Sequence, residues 1–464
     1  MFRAPFELVP QFSHHAGIVW YTIPVNTEQG ANEGGTVFRA AAFCAVGAER
    51  VVSGELRKLG LKVEESGGGR VRFYAGLGGL YRALMALRAA DRLLLEAASF
   101  PAGDFDALFE GTRSAAWEEW IPPGMGLAVD KVRISRSVLK AETSVQAVVH
   151  KAAAGRLCAA YGTNRLPEGG KTANLRVYID RNQVSLLLDL SGEPLFKRGY
   201  RPRGGIAPLR ETTAAALLQL SLWRRRFPLY DPFCGSGTIL AEALLYAWDA
   251  APGLGRRFAL ADLLIADPVL EESIRAELRG RINFNHVIRI GGSDQDPRAV
   301  SLAASTMRQV RDLALGRLNG PAGEGGPENR AVSSGEVSPG EVSPGEVSPG
   351  EVSPGASELP ELPELRCLPM KEARSPFGPA SGGGDRAAGF IITNPPYGRR
   401  MGEPGEAELR YAAMSALGRG FPGWKLAVIT DHPGFESFFG RPAASCREIT
   451  SGVLCSYFFQ YENL

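Results

Sequence analysis

Residues 227–248, FPLYDPFCGSGTILAEALLYAW, constrain the chain more than any other segment. A short apolar run enters a glycine-bearing turn and leaves as an apolar-periodic stretch beginning near Thr238, which is the pattern of a strand, a tight turn and a helix. Gly235 and Gly237 let the backbone approach a ligand closely, and the helix N-terminus presents unpaired N–H groups. An open α/β sheet binds nucleotide-like ligands at such a place, beyond the carboxyl end of a strand.

Two common occupants fail on the letters. A phosphate-cradling loop needs a lysine after its last glycine, and this turn has none. A dinucleotide fingerprint needs a third small residue, and Leu240 fills that position. Asp231, ahead of the turn, suits instead a cofactor whose aminoacyl part carries an ammonium group. S-adenosylmethionine has that group, so Asp231, Phe233, Gly235, Gly237 and Thr238 are expected to bind it. The next unit, HVIRIGGSDQDPRAVSLAAS, reads as a strand ending in carboxylates. Asp294 is placed to accept hydrogen bonds from the ribose hydroxyls, with Asp296 second to it or capping the following helix.

The segment GFIITNPPYGRRM runs an apolar strand into Asn394, Pro395, Pro396 and Tyr397. The two prolines fix the backbone and hold Asn394 extended, so a rigid polar turn sits at the mouth of the sheet. A base amine is a weak nucleophile because its lone pair is delocalised into the ring. If the Asn394 side-chain carbonyl and the Pro395 main-chain carbonyl accept its two N–H bonds, the nitrogen can pyramidalise toward a sulfonium methyl. Tyr397 would stack on the extruded base. The expected chemistry is methyl transfer to an exocyclic amine, without a metal.

Upstream, FRAAAFCAVG, AERVVSGELRKLGL, VRFYAG and LGGLYRALMALRAADRLLLEAASF alternate strand and helix in a compact module of split β-α-β type. A basic strand with Lys131, Arg133, Arg136 and Lys140 follows, then a helix lined by Val145, Val148, Val149 and Ala152, then two strands around Asp180–Asn182. The cluster FKRGYRPRGG places Lys197, Arg198, Tyr200 and Arg201 between two modules, where they are read as RNA-binding residues. Net charge is only +2, so phosphate affinity must come from such local clusters. From Gly320 to Gly355 the chain is rich in proline and glycine and repeats EVSPG, which cannot bury enough surface to order itself. Six dispersed cysteines without CxxC spacing, no membrane-length apolar run and no signal-peptide pattern fit a reducing cytoplasm.

The motifs KRGYR, APLRET, DPFCGSGTILAEA, APGLGRRFA, GSDQDPRA and TNPPYG, with the closing GWKLAVITDHPGFESFFG and FFQYEN, resemble the THUMP-domain class I RNA methyltransferases. In particular, they resemble the bacterial guanine-N2 enzymes of large-subunit (23S) rRNA. It implies an N-terminal extension over 1–36, a ferredoxin-like plus THUMP RNA-binding module over 37–195, and a methyltransferase domain over 196–464. That domain is expected to have a Rossmann-like seven-stranded sheet, interrupted at about 320–357 by the insertion whose composition reads as disordered. The resemblance carries Asp231, Gly235, Gly237 and Asp294 to cofactor binding and Asn394 to Tyr397 to catalysis. Two features depart from the family: LRCLPMKEA offers only Glu372 where an aspartate usually meets the adenine amine, and the helix after Asp294 lacks the usual asparagine. The alternatives are methylation of DNA adenine or protein glutamine, and an RNA-binding assembly role on the same fold.

Overall fold

The structure, a computed structural model, describes residues 36–201, 209–318, 359–377, 389–396, 405–452 and 454–464. The EVSPG repeats and Tyr397 lie outside them. Two seven-stranded sheets of opposite wiring stand side by side. The first contains β1 (Phe38–Phe43), β2 (Lys62–Gly67), β3 (Arg70–Ala75), β4 (Arg92–Pro101), β5 (Gly126–Ser135), β6 (Thr172–Asp180) and β7 (Gln183–Asp189), in the order β2-β3-β1-β4-β7-β6-β5. Its helices are α1 (Glu49–Lys58), α2 (Leu77–Ala86), α3 (Phe105–Ser114) and α4 (Glu142–Tyr161). All its ladders are antiparallel except β5 with β6. The β4–β7 ladder fuses the ferredoxin-like and following halves into one sheet.

Strand β2, KVEESG, has no apolar alternation and was not legible as a strand; it is an exposed edge paired only with β3. The β6–β7 hairpin turns through Arg181 and Asn182, both with positive φ (49° and 60°), a two-residue turn whose twist matches the flanking strands. Along α4, Val145, Val149 and Ala152 are buried and Val148 half-buried, as the helical spacing requires.

The second sheet contains β8 (Leu229–Asp231), β9 (Ile290–Asp294), β10 (Glu364–Cys367), β11 (Phe390–Thr393), β12 (Lys425–Thr430), β13 (Ser445–Ser451) and β14 (Leu454–Tyr461). The order is β10-β9-β8-β11-β12-β14-β13, parallel through the first five and closed by antiparallel β14. It is accompanied by α5 (Glu211–Leu220), α6 (Thr238–Ala247), α7 (Pro268–Gly280), α8 (Pro297–Ala314), α9 (Glu406–Ala413), α10 (Leu417–Gly420) and α11 (Phe435–Phe439). Alternate residues of the central strands enter different cores. Phe390, Ile392, Ala427 and Ile429 join one, while Ile391, Leu426 and Val428 join another with Tyr411, Phe421 and Phe435. A parallel sheet covered on both faces packs this way.

The two sheets are stitched together by polar contacts, one of them through the buried Arg88. Arg88 Nη2 donates to Ala250 O at 2.8 Å, and Val46 and Thr450 exchange backbone bonds of 2.9 and 3.0 Å. Among the described residues no helix is long and apolar enough to cross a membrane.

Candidate active site

The site forms where β8, β9 and β11 end side by side. Pro232 disfavours helix at Asp231, and the aspartate closes the turn by accepting from Phe233 N at 3.0 Å. Cys234 N donates to Ser293 O at 2.9 Å, which fastens the turn to β9. Gly235 and Gly237 both have positive φ, 52° and 79°. A Cβ on Gly237 would press on Ala303 and Met307 of α8, whereas one on Gly235 would meet nothing within 4 Å. The turn is therefore tight on its inner side and open at Gly235, where a ligand can approach. Helix α6 begins at Thr238 with no side-chain cap, so its first N–H groups point outward without a capping acceptor.

Asp231 is buried, 1% exposed. Burial pushes its carboxyl up to about 7, with the nearby Asp294 charge adding to the rise and the bonds from Thr393 and Phe233 opposing it. Among the described residues no cation pairs with this carboxylate, which fits a site built to receive an ammonium group. Asp294 Oδ2 accepts from Gly235 N at 3.1 Å and Oδ1 from Asp296 N at 3.0 Å, so Asp294 bridges the two strand ends. Asp296 caps α8 through Arg298 N at 2.9 Å, and its carboxylate also pairs with the Arg298 guanidinium at 3.2 Å. That geometry favours the capping alternative for Asp296. Phe233 is half-buried and packs against the aromatic core. Glu372 is exposed, in a short 3-10 turn after β10.

Thr393 joins the two motifs. The last residue of β11, fully buried, it donates from Oγ1 to Asp231 Oδ1 at 2.6 Å. The sequence displays this threonine beside Asn394, but nothing in its spacing announces the contact. Asn394 follows directly, and its Oδ1 is buried with no hydrogen-bond partner among the described residues. Pro395 is buried and Pro396 half-buried. Lacking N–H groups, they end the β11 ladder and cannot satisfy the asparagine carbonyl.

The basic cluster preceding the sheet divides. Arg198 and Tyr200 are 2% and 0% exposed. Tyr200 OH donates to Glu242 Oε1 at 2.8 Å, and Arg198 donates to Leu195 O at 2.7 Å and pairs with Glu242 at 3.4 Å. Both side chains are committed to the joint between the sheets, so the expectation that they contact RNA is corrected: sequence proximity to lysine and arginine did not reveal that Glu242 of α6 draws them inward. Lys197 is exposed and pairs with Glu193. Arg201 is half-buried and donates from Nη2 to Thr238 Oγ1 at 2.9 Å and Leu209 O at 3.0 Å, which brings it to the cofactor turn.

Fold and site together define a methyltransferase that uses S-adenosylmethionine: the strand order, the open turn at Gly235 and the buried Asp231 fit that donor. Comparison with known proteins agrees. Residues 198–312 and 384–454 match a family described as RMKL-like, methyltransferase domain, and residues 39–94 match the RlmL ferredoxin-like domain. The "Putative RNA methyltransferase YpsC" of Bacillus subtilis is 30% identical over 427 residues, covering 90% of this chain and 94% of that protein. The ribosomal RNA large subunit methyltransferase K/L of Syntrophotalea carbinolica is 30% identical over 421 residues. The match takes in 88% of this chain but 51% of that protein, so the chain spans about half the length of the K/L relative. The "Crystal structure of SMU.472, a putative methyltransferase complexed with SAH" superposes with a TM-score of 0.73 at 28% identity, covering 92% of this chain and 98% of that one. A Listeria monocytogenes structure, described as a predicted N6-adenine-specific DNA methylase, gives 0.74 at 28% identity over 92% of this chain and 97% of its own. The chain belongs to the RMKL-like methyltransferase family.

Proposed function

We propose that the protein methylates the exocyclic N2 amine of a guanine in RNA, with large-subunit rRNA as the substrate class. The observation that carries the reading is the buried, partnerless Oδ1 of Asn394. A desolvated carbonyl oxygen without a partner is costly, and an amine N–H entering the site would satisfy it. When bound, S-adenosylmethionine supplies an electrophilic methyl on sulfur. Asp231, the turn at Gly235 and Asp294 would hold its aminoacyl and ribose parts. Asn394, with the Pro395 carbonyl, orients the amine so that its lone pair forms the new N–C bond as the S–C bond breaks and its electron pair returns to sulfur. The surplus amine proton then passes to water. Tyr397 is assigned to stacking on the base.

RNA as the class of substrate draws on the names of YpsC and the K/L enzymes and on the first sheet. Lys131 on β5 is held below the usual lysine range by partial burial and by the cations Arg133 and Arg176. Lys131 and Arg133 on β5, with Arg176 on the adjoining β6, gather the local positive potential that phosphates require. We assign this surface, with Lys197, to RNA binding, in the role of a THUMP module.

The test is to incubate the protein with methyl-labelled donor and unmodified bacterial rRNA, digest to nucleosides and identify the label, with Asn394→Ala in parallel. Label in N2-methylguanosine, absent from the variant, is the expected result. Label in N6-methyladenosine, or in DNA alone, would discard the guanine assignment.

A further inference from the structure

The order of the second sheet leaves one side of Asn394 outside the donor site. The glycine turn lies over the ends of β8 and β9, on one side of β11, and β12 lies on the other. Thr393 of β11 stands opposite Val428 of β12, so Asn394 and Pro395 leave the sheet beside Ile429 and Thr430. Neighbouring strands are about 4.8 Å apart. A base whose amine is held at Asn394, and which does not overlie the donor, therefore extends over the end of β12.

Two side chains meet there. His432 N donates to Thr430 Oγ1 at 3.1 Å, which curls the chain back at the strand end. His432 Nδ1 accepts from Gly434 N at 3.1 Å, so the neutral ring carries its proton on Nε2. That nitrogen lies 3.7 Å from Glu408 Oε1 of α9, and both side chains are 30% exposed. At this spacing the two stand side by side without a hydrogen bond, and Glu408 has no other partner among the described residues. Tyr411 and Phe438 hold the imidazole edge-on, with centroids 5.9 and 5.3 Å away. Fastening α9 to β12 does not require the pair, because Tyr411 and Thr430 already share a buried hydrogen bond of 2.8 Å.

A fixed N–H donor beside an open carboxylate complements one base edge. In guanine the N2 amine is followed along the Watson–Crick edge by N1–H and then by O6, a donor and an acceptor. In adenine the N6 amine is followed by N1, a bare acceptor. We infer that Glu408 and His432 select guanine: Glu408 accepts from N1–H and His432 Nε2–H donates to O6, while Asn394 holds the N2 amine. Extruded bases are read by hydrogen bonds to this edge, and those to a carboxylate are among the stronger ones. Adenine in the same place sets its N1 lone pair against the Glu408 carboxylate, a repulsion added to the missing bond. The assignment rests on the guanine-N2 reading proposed above and names the residues that would enforce it.

The test uses the full chain and two synthetic RNAs, one carrying the guanine that receives label in rRNA and one with 2,6-diaminopurine in its place. The analogue keeps the amine at C2 but presents a bare N1 and a second amine where guanine has N1–H and O6. The parent should favour guanine in kcat/KM by about a hundredfold or more. Glu408→Gln, whose amide can also donate to a bare N1, should lower transfer to guanine and raise transfer to the analogue, bringing the ratio within about tenfold. His432→Phe, which keeps a ring between Tyr411 and Phe438, should lower transfer to guanine about tenfold and leave the analogue within about twofold. Affinity for S-adenosylhomocysteine should stay within about twofold in both variants. A parent that methylates guanine, with variants that lose equally on the two RNAs or lose nothing, would overturn the assignment alone. Label on adenine in place of guanine would overturn the guanine reading and the assignment with it.

Discussion

The two sheets have the same number of strands and bury their apolar residues equally well, yet they treat polar groups differently. In the first, Arg176 is bidentate to Asp130, Arg92 bonds Asp189 and the Gly192 carbonyl, and the buried groups left without a partner are a guanidinium donor, Arg88 Nη1, and a hydroxyl, Thr112 Oγ1. In the second, buried acceptors are left open, namely Asn394 Oδ1, Glu211 Oε2 and Glu242 Oε2. Two of these flank strand ends or the cofactor turn. The difference lies in the acceptors: the sheet that binds leaves carbonyl and carboxylate oxygens open for its ligands to complete.

The comparison can be broken at the joint. Glu242 is 1% exposed and is the carboxylate on which Arg198 and Tyr200 of the connecting segment converge. Glu242→Ala leaves Arg198 buried without its anion, and should cost about 3–5 kcal/mol in denaturant unfolding. A variant as stable as the parent would mean that the joint contributes nothing.

A smaller effect sharpens the binding side. Asp231→Asn should weaken S-adenosylhomocysteine by roughly tenfold to a hundredfold, since an amide cannot pair with an ammonium. The pH dependence follows from its raised carboxyl. With a value of about 7 in the free protein, Asp231 is neutral below that pH and must lose a proton to receive the ligand. Affinity should therefore be flat above pH 7 and fall as pH drops below it, by up to about tenfold per unit. In Asp231→Asn this slope should be absent; a persisting slope would assign the proton elsewhere.

The smallest effect belongs to the first sheet. Asp104 caps α3 by accepting from Ala107 N at 2.7 Å. Asp104→Ala should cost about 1 kcal/mol of stability and leave donor affinity unchanged. Weakened donor binding would show that the platform and the site are coupled more tightly than their separate cores suggest.

What the sequence disclosed follows the same division. The glycine turn, the carboxylate of β9 and the Asn-Pro-Pro end of β11 were legible because each depends on local letters: positive φ, a strand-end acid, and proline's missing N–H. The chain-order alternation also gave α1, α2 and α4 and most strands of the first sheet, but not α3. What failed depends on distance in sequence. Arg198 and Tyr200 read as surface groups because their partner, Glu242, lies more than forty residues away by the measured pairs (44 and 42). The contact from Thr393 to Asp231 spans 162 positions, and no local pattern could signal it. Strand β2 escaped because an edge exposed on both faces needs no apolar period.

The central claim is that Asn394 meets the target amine and not the donor. Single-turnover methyl transfer to rRNA and equilibrium binding of S-adenosylhomocysteine, measured side by side on Asn394→Ala, test it most directly. The account predicts a transfer rate reduced about a hundredfold or more with donor-product affinity unchanged. An equal loss of both would place Asn394 in the donor site and contradict it.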